Sequence, residues 1–354
     1  MPKLLLITGS IFAGAVLVIW MVQAGWRIRS EIRRRAAGRP VLRSTTYLVW
    51  RHPGPAATRD LAAGPGGGHG APVPPFHFIE EHTSGSQPAI SIRDARGRRW
   101  RVKWGQEVHT EVFASRFAWA AGYFVETNYF LPHGTIEGVD RLQRARDYVD
   151  EHQRFSDACF ELDEAGVIKH FDEKSWAWHD NPFAGSRELN GLKIVMMLLS
   201  NWDNKDVRDV ARGSNTAIFE YPNGRGFEAR YLIIDWGAAL GTWGNNILTR
   251  GRWDHERYAA QTPEFVAGVD ENACVQWGYK GQRTDDAVRG IAVDDVQWIY
   301  DVLRDLTNEQ IAAGLRASGA DETEIASFTA SIRARIEQLN LLRHPAWSEA
   351  TPTR

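Results

Sequence analysis

Strand-like and helix-like patterns are segregated along this chain, and that segregation restricts the folds open to it. Residues 76–140 read as strands with one helix among them, and residues 141–345 read as mainly helical. Such an order predicts an α+β fold of two lobes. In the first lobe ISIRDARGRRWRVKW, residues 90–104, reads as a hairpin turning at Asp94–Gly97. On its second strand Trp100, Val102 and Trp104 share one face, and Arg99, Arg101 and Lys103 share the other. Val108, Val112, Phe113 and Phe117 recur at helical spacing and predict a helix over 107–121. Gly122 ends it, and YFVETNYFL reads as the next strand.

In the second lobe Leu189, Leu192, Met196 and Leu199 form an apolar stripe over 186–200. The runs TAIFEY and RYLIIDW read as strands. Thr307 with Gln310 is a capping box, and Gly319 suits that helix's stop. Asp321 with Glu324 opens a last helix with Ile325, Phe328, Ile332, Ile336 and Leu339 on one face.

Ahead of the lobes, Leu4 to Trp26 carries no charge and is long enough to cross a hydrocarbon core of about 30 Å. Arginines at 27, 29, 33, 34 and 35 follow it, against Lys3 alone before it. The positive-inside rule then predicts a single-pass transmembrane helix, residues 1–26, with the soluble part in the cytoplasm. A cleaved signal peptide would carry the opposite charge asymmetry. Residues 27–75 turn from basic to LAAGPGGGHGAPVPP and predict a flexible linker. Residues 346–354 are read as a tail. A net charge of −2 supplies no basic field for nucleic acid. Two cysteines, Cys159 and Cys274, make no disulfide framework and are expected as thiols. His170, His179 and His255 stand in no zinc-binding spacing, and no GxSxG elbow is present. SWAWHDNPFAGSREL reads as a packed loop, or else as a lid.

Five polar residues stand at element ends in an informative order: Lys103, Glu111, Asp203, Asn215 and Asp235. Asp235 says most, because it closes the apolar run YLII. A carboxylate there is costly unless it is paired or binds a cation. Phosphoryl transfer needs such a set: a lysine on phosphates, a carboxylate holding it, oxygen ligands for magnesium, and a carboxylate near the attacking hydroxyl.

The order resembles the protein-kinase-like superfamily over about residues 76–345. Asp235-Trp236-Gly237 looks like the family's metal-binding Asp-Phe-Gly, and Asp203-Asn204-Lys205 like its catalytic Asp-x-Lys. NWDNKD is similar to the catalytic loops of type II phosphatidylinositol 4-kinases and secretory-pathway kinases. NPF, RELNGLK and NWDNKD also resemble a bacterial membrane-anchored group. The resemblance implies ATP and Mg2+ as cofactors. Asp203 would orient the acceptor hydroxyl, and Lys205 would neutralise the transferred phosphate. Asn215 and Asp235 would hold the metal. Lys103 would bind the α/β-phosphates, paired by Glu111, under a phosphate-covering turn at Thr83–Ser86 whose one glycine is Gly85.

The sequence departs from the family in several places: besides the single glycine of the covering turn, Asn201-Trp202 stands where His-Arg usually precedes the catalytic aspartate. Asn215 follows Asp203 by twelve residues where most kinases have five, so Asn204 and Asp206 compete with it. Glu107 competes with Glu111. No Ala-Pro-Glu segment is visible. The expected activity is a membrane-tethered phosphotransferase whose hydroxyl acceptor is a protein, a lipid or a small molecule. The alternatives are a pseudokinase that binds nucleotide without turnover, and a tethered interaction domain of unrelated fold.

Overall fold

The computed structural model describes residue 32 and residues 41–342, apart from 86, 172–173, 204–214, 225, 245–249 and 282–287. The Leu4–Trp26 run and Lys205 lie outside the described residues. Among those described, no helix is long and apolar enough to cross a membrane.

Five strands close into a barrel in the order β2–β3–β4–β6–β5: β2 (Phe76–His82), β3 (Ala89–Arg93), β4 (Arg99–Lys103), β5 (Asn128–Glu137) and β6 (Arg154–Asp163). The predicted hairpin is β3–β4. Its turn is held by the Asp94 carboxylate, which accepts from the backbone N–H of Arg96 and Arg98 and from Trp100 Nε1. Alternation on β4 is as expected: Trp100 and Val102 fill the barrel with Phe76, Phe155 and Phe160, while Arg99, Arg101 and Lys103 face outward.

The strand-rich unit runs on to Asp163, past the expected boundary at residue 140. Without β6 the barrel would keep two open edges, on β4 and on β5. The strand expected at 123–131 starts later, at Asn128.

One four-residue turn of helix, α1 (Gly67–Gly70), precedes the barrel. Helix α2 (Val108–Ala120) is wedged between barrel and helices, with 11 of its 13 residues buried, so it shows no polar face. Val108 and Val112 meet Cys159, and Phe113 and Phe117 enter the main core. The second part is built on α3 (Arg187–Leu198), α4 (His255–Gln261), α5 (Val293–Leu303), α6 (Asn308–Ala317) and α7 (Glu322–Leu341). The predicted capping box forms at Thr307, and the helix expected to open at Asp321 with Glu324 is capped in the same way. Gly319 ends the α6 segment at φ 91°. The predicted face of α7 is buried throughout. A sheet ordered β1–β9–β8–β7 joins the two parts: β1 (Thr46–Leu48), β7 (Ile168–His170), β8 (Thr216–Asn223) and β9 (Gly226–Ile233). A small hairpin, β10 (Val266–Val269) with β11 (Val275–Trp277), completes the strands. Both cysteines are free thiols.

The expected linker is the largest departure. From Ser44 onward it lies on the core. β1 pairs with β9, Ser44 donates to Glu220 at 2.8 Å, and Leu61 is 1 % exposed. At two positions the packing calls for glycine. A β-carbon at Gly66 or Gly70 would lie 2.2 or 2.4 Å from the Tyr129 hydroxyl. Gly66 and Gly70 are close-packing residues, not spacers. Starting the chain at Phe76 is therefore expected to abolish a cooperative thermal transition. Leu61→Ala in the full chain should cost about 2–5 kcal/mol, read by denaturant unfolding.

Candidate functional site

β4 and β6 present their outer faces to the loops that follow α3 and β9, across a cleft of about 1030 Å³. Lys103, Glu111, Asp203, Asn215, Asp235 and Gly85 all line it. Residues spread over 150 positions of sequence thus converge on one space.

Each arrives by its own local device. Ser186 caps α3, accepting from the backbone N–H of Leu189 at 3.2 Å. The helix ends at Leu198, and Ser200 reverses the chain at φ 59°. That turn brings Asp203 to the cleft. β9 ends at Ile233, and the next residues are tied down one after another. Ile234 N–H donates to Asn215 O at 3.0 Å, and Asn201 Nδ2 donates to Asp235 O at 3.0 Å. Trp236 N–H donates to the Glu111 carboxylate at 2.9 Å, and Gly237 N–H donates to Asp235 Oδ1 at 3.0 Å. Asn215 stands beside Asp203 despite the twelve-residue gap, its Nδ2 donating to the Asp203 carbonyl. The intervening residues, Asn204, Lys205 and Asp206 among them, lie outside the described ones.

The expected Lys103–Glu111 ion pair is replaced. Lys103 Nζ pairs with Glu161 of β6, and Glu107 pairs with Arg252. In register Lys103 stands opposite Cys159, so Glu161 is the diagonal neighbour on the same face. Glu111 instead secures the backbone of the Asp-Trp-Gly segment from α2. Sequence reasoning missed Glu161 because it assigned no strand there. The alternation Cys159, Glu161, Asp163 was the available signal.

Charge is unevenly held. Among the described residues the cleft is lined by seven acidic residues against five lysines and arginines. Burial disfavours the Lys103 ammonium, but Glu161 and then Glu111 hold its pKa well above the ordinary value. Burial, and after it Asp235 and Glu161, push the Glu111 carboxyl well up. Burial pushes Glu126 up to about 7, and the Glu161 carboxylate adds to this. Burial, then Glu107 and Asp203, push Asp235 up to about 6. Carboxylates crowded to this degree favour a bound cation. Among the described residues no group of three or more His, Cys, Asp or Glu is placed to cage a metal. Magnesium does not require one, since one or two carboxylates with substrate phosphates suffice.

The tryptophans beside the site residues are mostly core. Trp104 and Trp236 are buried, and Trp202 carries the Arg250 and Arg252 guanidiniums on its ring at 5.0 and 5.5 Å. The SWAWHDNPFAGSREL stretch is a packed loop at its start: Trp176 Nε1 donates to the carbonyls of Ala217 and Leu232.

No protein-family model matches the chain, and no curated protein matches it. Solved structures that align with it include a Helicobacter pylori proinflammatory kinase, CtkA. That alignment has 11 % identity over 78 % of this chain and 98 % of that one, with a TM-score of 0.44. The Golgi casein kinase aligns at 10 % identity over 77 % and 73 %, TM-score 0.37. The same kinase with Mn/ADP bound aligns at 9 % over 77 % and 72 %, TM-score 0.37. At these scores they share a general outline with the chain and no more, and the functional reading rests on the site's own geometry.

Proposed function

We propose that the protein is a kinase-like phosphotransferase that uses ATP and a divalent metal, magnesium by preference, on a hydroxyl acceptor. One observation carries this reading. Lys103, Asp203, Asn215 and Asp235 meet in one cleft where, among the described residues, carboxylates exceed cations. In this reading Lys103 holds the α/β-phosphates from β4, and Glu161 keeps its ammonium charged and aimed. Asp203 accepts the hydrogen bond of the attacking hydroxyl and orients it in line. Lys205 meets the transferred phosphate. Asp235 and Asn215 are the residues that would hold the metal, which supplies charge neutralisation at the phosphates. Glu111 acts through the backbone of Trp236, setting the direction of the Asp235 carboxylate. The run Leu4–Trp26 would tether the domain to a membrane on its cytoplasmic side, beside acceptors of a protein, lipid or soluble kind.

The test is nucleotide binding and turnover by the full chain. MgATP is expected to raise the melting temperature by mass action, ATP without metal much less. Lys103→Ala should lose most of that rise. Asp203→Asn should keep it and lose turnover by about 10²–10⁴-fold. A folded wild type that binds no nucleotide with any metal would sink the reading. Metal-dependent binding with no turnover on any acceptor would leave a nucleotide-binding scaffold.

A further inference from the structure

Among the described residues, four of the five lysines and arginines that line the cleft have carboxylate partners. Arg99 meets Glu80 and Asp163, and Lys103 meets Glu161. Lys169 meets Glu126 and Asp163 at 3.6 and 3.5 Å, and Arg252 meets Glu107. Arg101 is the fifth. Among the described residues its guanidinium makes no ion pair and no hydrogen bond, and its Nε is buried without an acceptor. A guanidinium carries five donors and cannot discharge itself by losing a proton.

Its neighbours explain why it is left over. In register Arg101 stands between Ser91 of β3 and Glu161 of β6. The Ser91 hydroxyl is taken by His82 Nε2 at 3.0 Å and by Arg99 Nη2 at 3.1 Å. The Glu161 carboxylate is taken by Lys103. The side chain therefore runs on along the cleft wall, toward the turn between β2 and β3. A β-carbon added to Gly85 would lie 3.5 Å from Arg101 Nη2. The free guanidinium sits directly under the one glycine of that turn.

Protein kinases cover the phosphates with a glycine-rich turn whose backbone approaches them closely. This turn has a single glycine. Arg144 also holds it from outside, donating to the carbonyls of Ser84 and Gly85 at 3.0 and 2.9 Å. We propose that Arg101 replaces the missing backbone contacts: its guanidinium, under the Gly85 turn, is the ligand for the phosphate chain of the bound nucleotide. The planar fork suits phosphate oxygens two at a time. The cleft then has two ends. Asp203 and Asp235 attract the cation, and Arg101 attracts the anion, so a metal–polyphosphate enters in one orientation. The proposal rests on the phosphotransferase reading for its ligand, but its evidence is a guanidinium that, among the described residues, makes no hydrogen bond or close ion pair and feels the Glu126 carboxylate only at longer range.

The experiment compares wild type, Arg101→Ala and Arg101→Lys as full chains. It measures affinity for MgATP, magnesium tripolyphosphate and adenosine, with the melting temperature as fold control. Arg101→Ala should weaken MgATP and tripolyphosphate by about ten- to a hundredfold and leave adenosine unchanged. Arg101→Lys should recover only part, because a point charge does not reproduce the fork. Should the alanine variant fail to fold, the lysine variant carries the comparison with the same expected order of ligands. Equal MgATP affinity in wild type and variant overturns the Arg101 assignment alone. Equal losses for adenosine and MgATP overturn it too, placing the contact on the base. A wild type that binds neither MgATP nor tripolyphosphate overturns both this assignment and the phosphotransferase reading.

Discussion

Asp235→Asn is expected to abolish phosphoryl transfer and, at the same time, to make the protein more stable. Asp235 lines the cleft in a partly buried position, beside the Glu107 and Asp203 carboxylates, and its own carboxyl is pushed up to about 6. The fold therefore bears a charge there at a loss. The amide keeps the one side-chain hydrogen bond that the carboxylate makes among the described residues, since its oxygen still accepts from Gly237 N–H. It removes the repulsion and with it the charge that would hold a metal. Melting temperature should rise by about 2–4 °C for each kcal/mol of repulsion relieved. Turnover should fall by about 10³-fold or more, the several kcal/mol a metal contributes at a developing phosphate charge. Opposite signs in the two measurements mark a functional carboxylate, because stability is sacrificed where activity needs strain. A variant that melts lower and turns over normally would make Asp235 a structural residue and remove the metal site from this cleft.

What the sequence disclosed follows from how local the determining forces are. Caps at Thr307 and Asp321, the Asp94 turn and the period-2 alternation of β4 depend on residues a few positions apart, and all were legible. So was the set Lys103, Glu111, Asp203, Asn215 and Asp235, because each stands at the end of an element and an element's end can be read. Their convergence on one cleft needed the tertiary structure. Lys103's partner was hidden for the same reason. Glu161 lies 58 residues away, on a strand whose outward face is charged and so lacks a strong apolar signal. The linker misled through composition. Glycine signals flexibility when nothing else is known, yet Gly66 and Gly70 are glycine because Tyr129 leaves no room for a side chain. The alternation of β4 placed Arg101 on one face with Arg99 and Lys103 and did not distinguish them; only its neighbours' prior engagements set it apart.

A large stability effect from a single substitution is expected at Arg335 of α7, which is fully buried and, among the described residues, pairs with no carboxylate. Its guanidinium is satisfied by dipoles and rings instead. It donates to Leu198 O at 2.8 Å, Ser200 Oγ at 2.7 Å, Tyr258 O at 3.1 Å and Thr262 Oγ1 at 3.1 Å. It also stacks on Tyr258 at 3.8 Å and lies 4.8 Å from the Trp243 ring. Burial lowers its pKa to about 10, so it stays charged at neutral pH. Leu198 O is a terminal carbonyl of α3, where a cation is favoured. Ser200 is the residue whose left-handed backbone turns the chain toward Asp203. Arg335 thus fastens the far side of the turn that presents the proposed hydroxyl-orienting carboxylate. Arg335→Ala leaves these acceptors unpaired in a cavity and is expected to cost about 3–5 kcal/mol in denaturant unfolding. Arg335→Lys should cost less, because one ammonium still reaches some of the acceptors. Its informative readout is kinetic. With the Ser200 turn loosened and the Lys103–Glu161 pair untouched, kcat should fall while nucleotide affinity holds. If Arg335→Lys instead weakens nucleotide binding and leaves kcat alone, Arg335 supports the nucleotide end of the cleft, and the Ser200 turn is fixed by its other ties: Tyr279 Oη on the Asn201 carbonyl, and Leu240 N–H on Leu199 O at 2.7 Å.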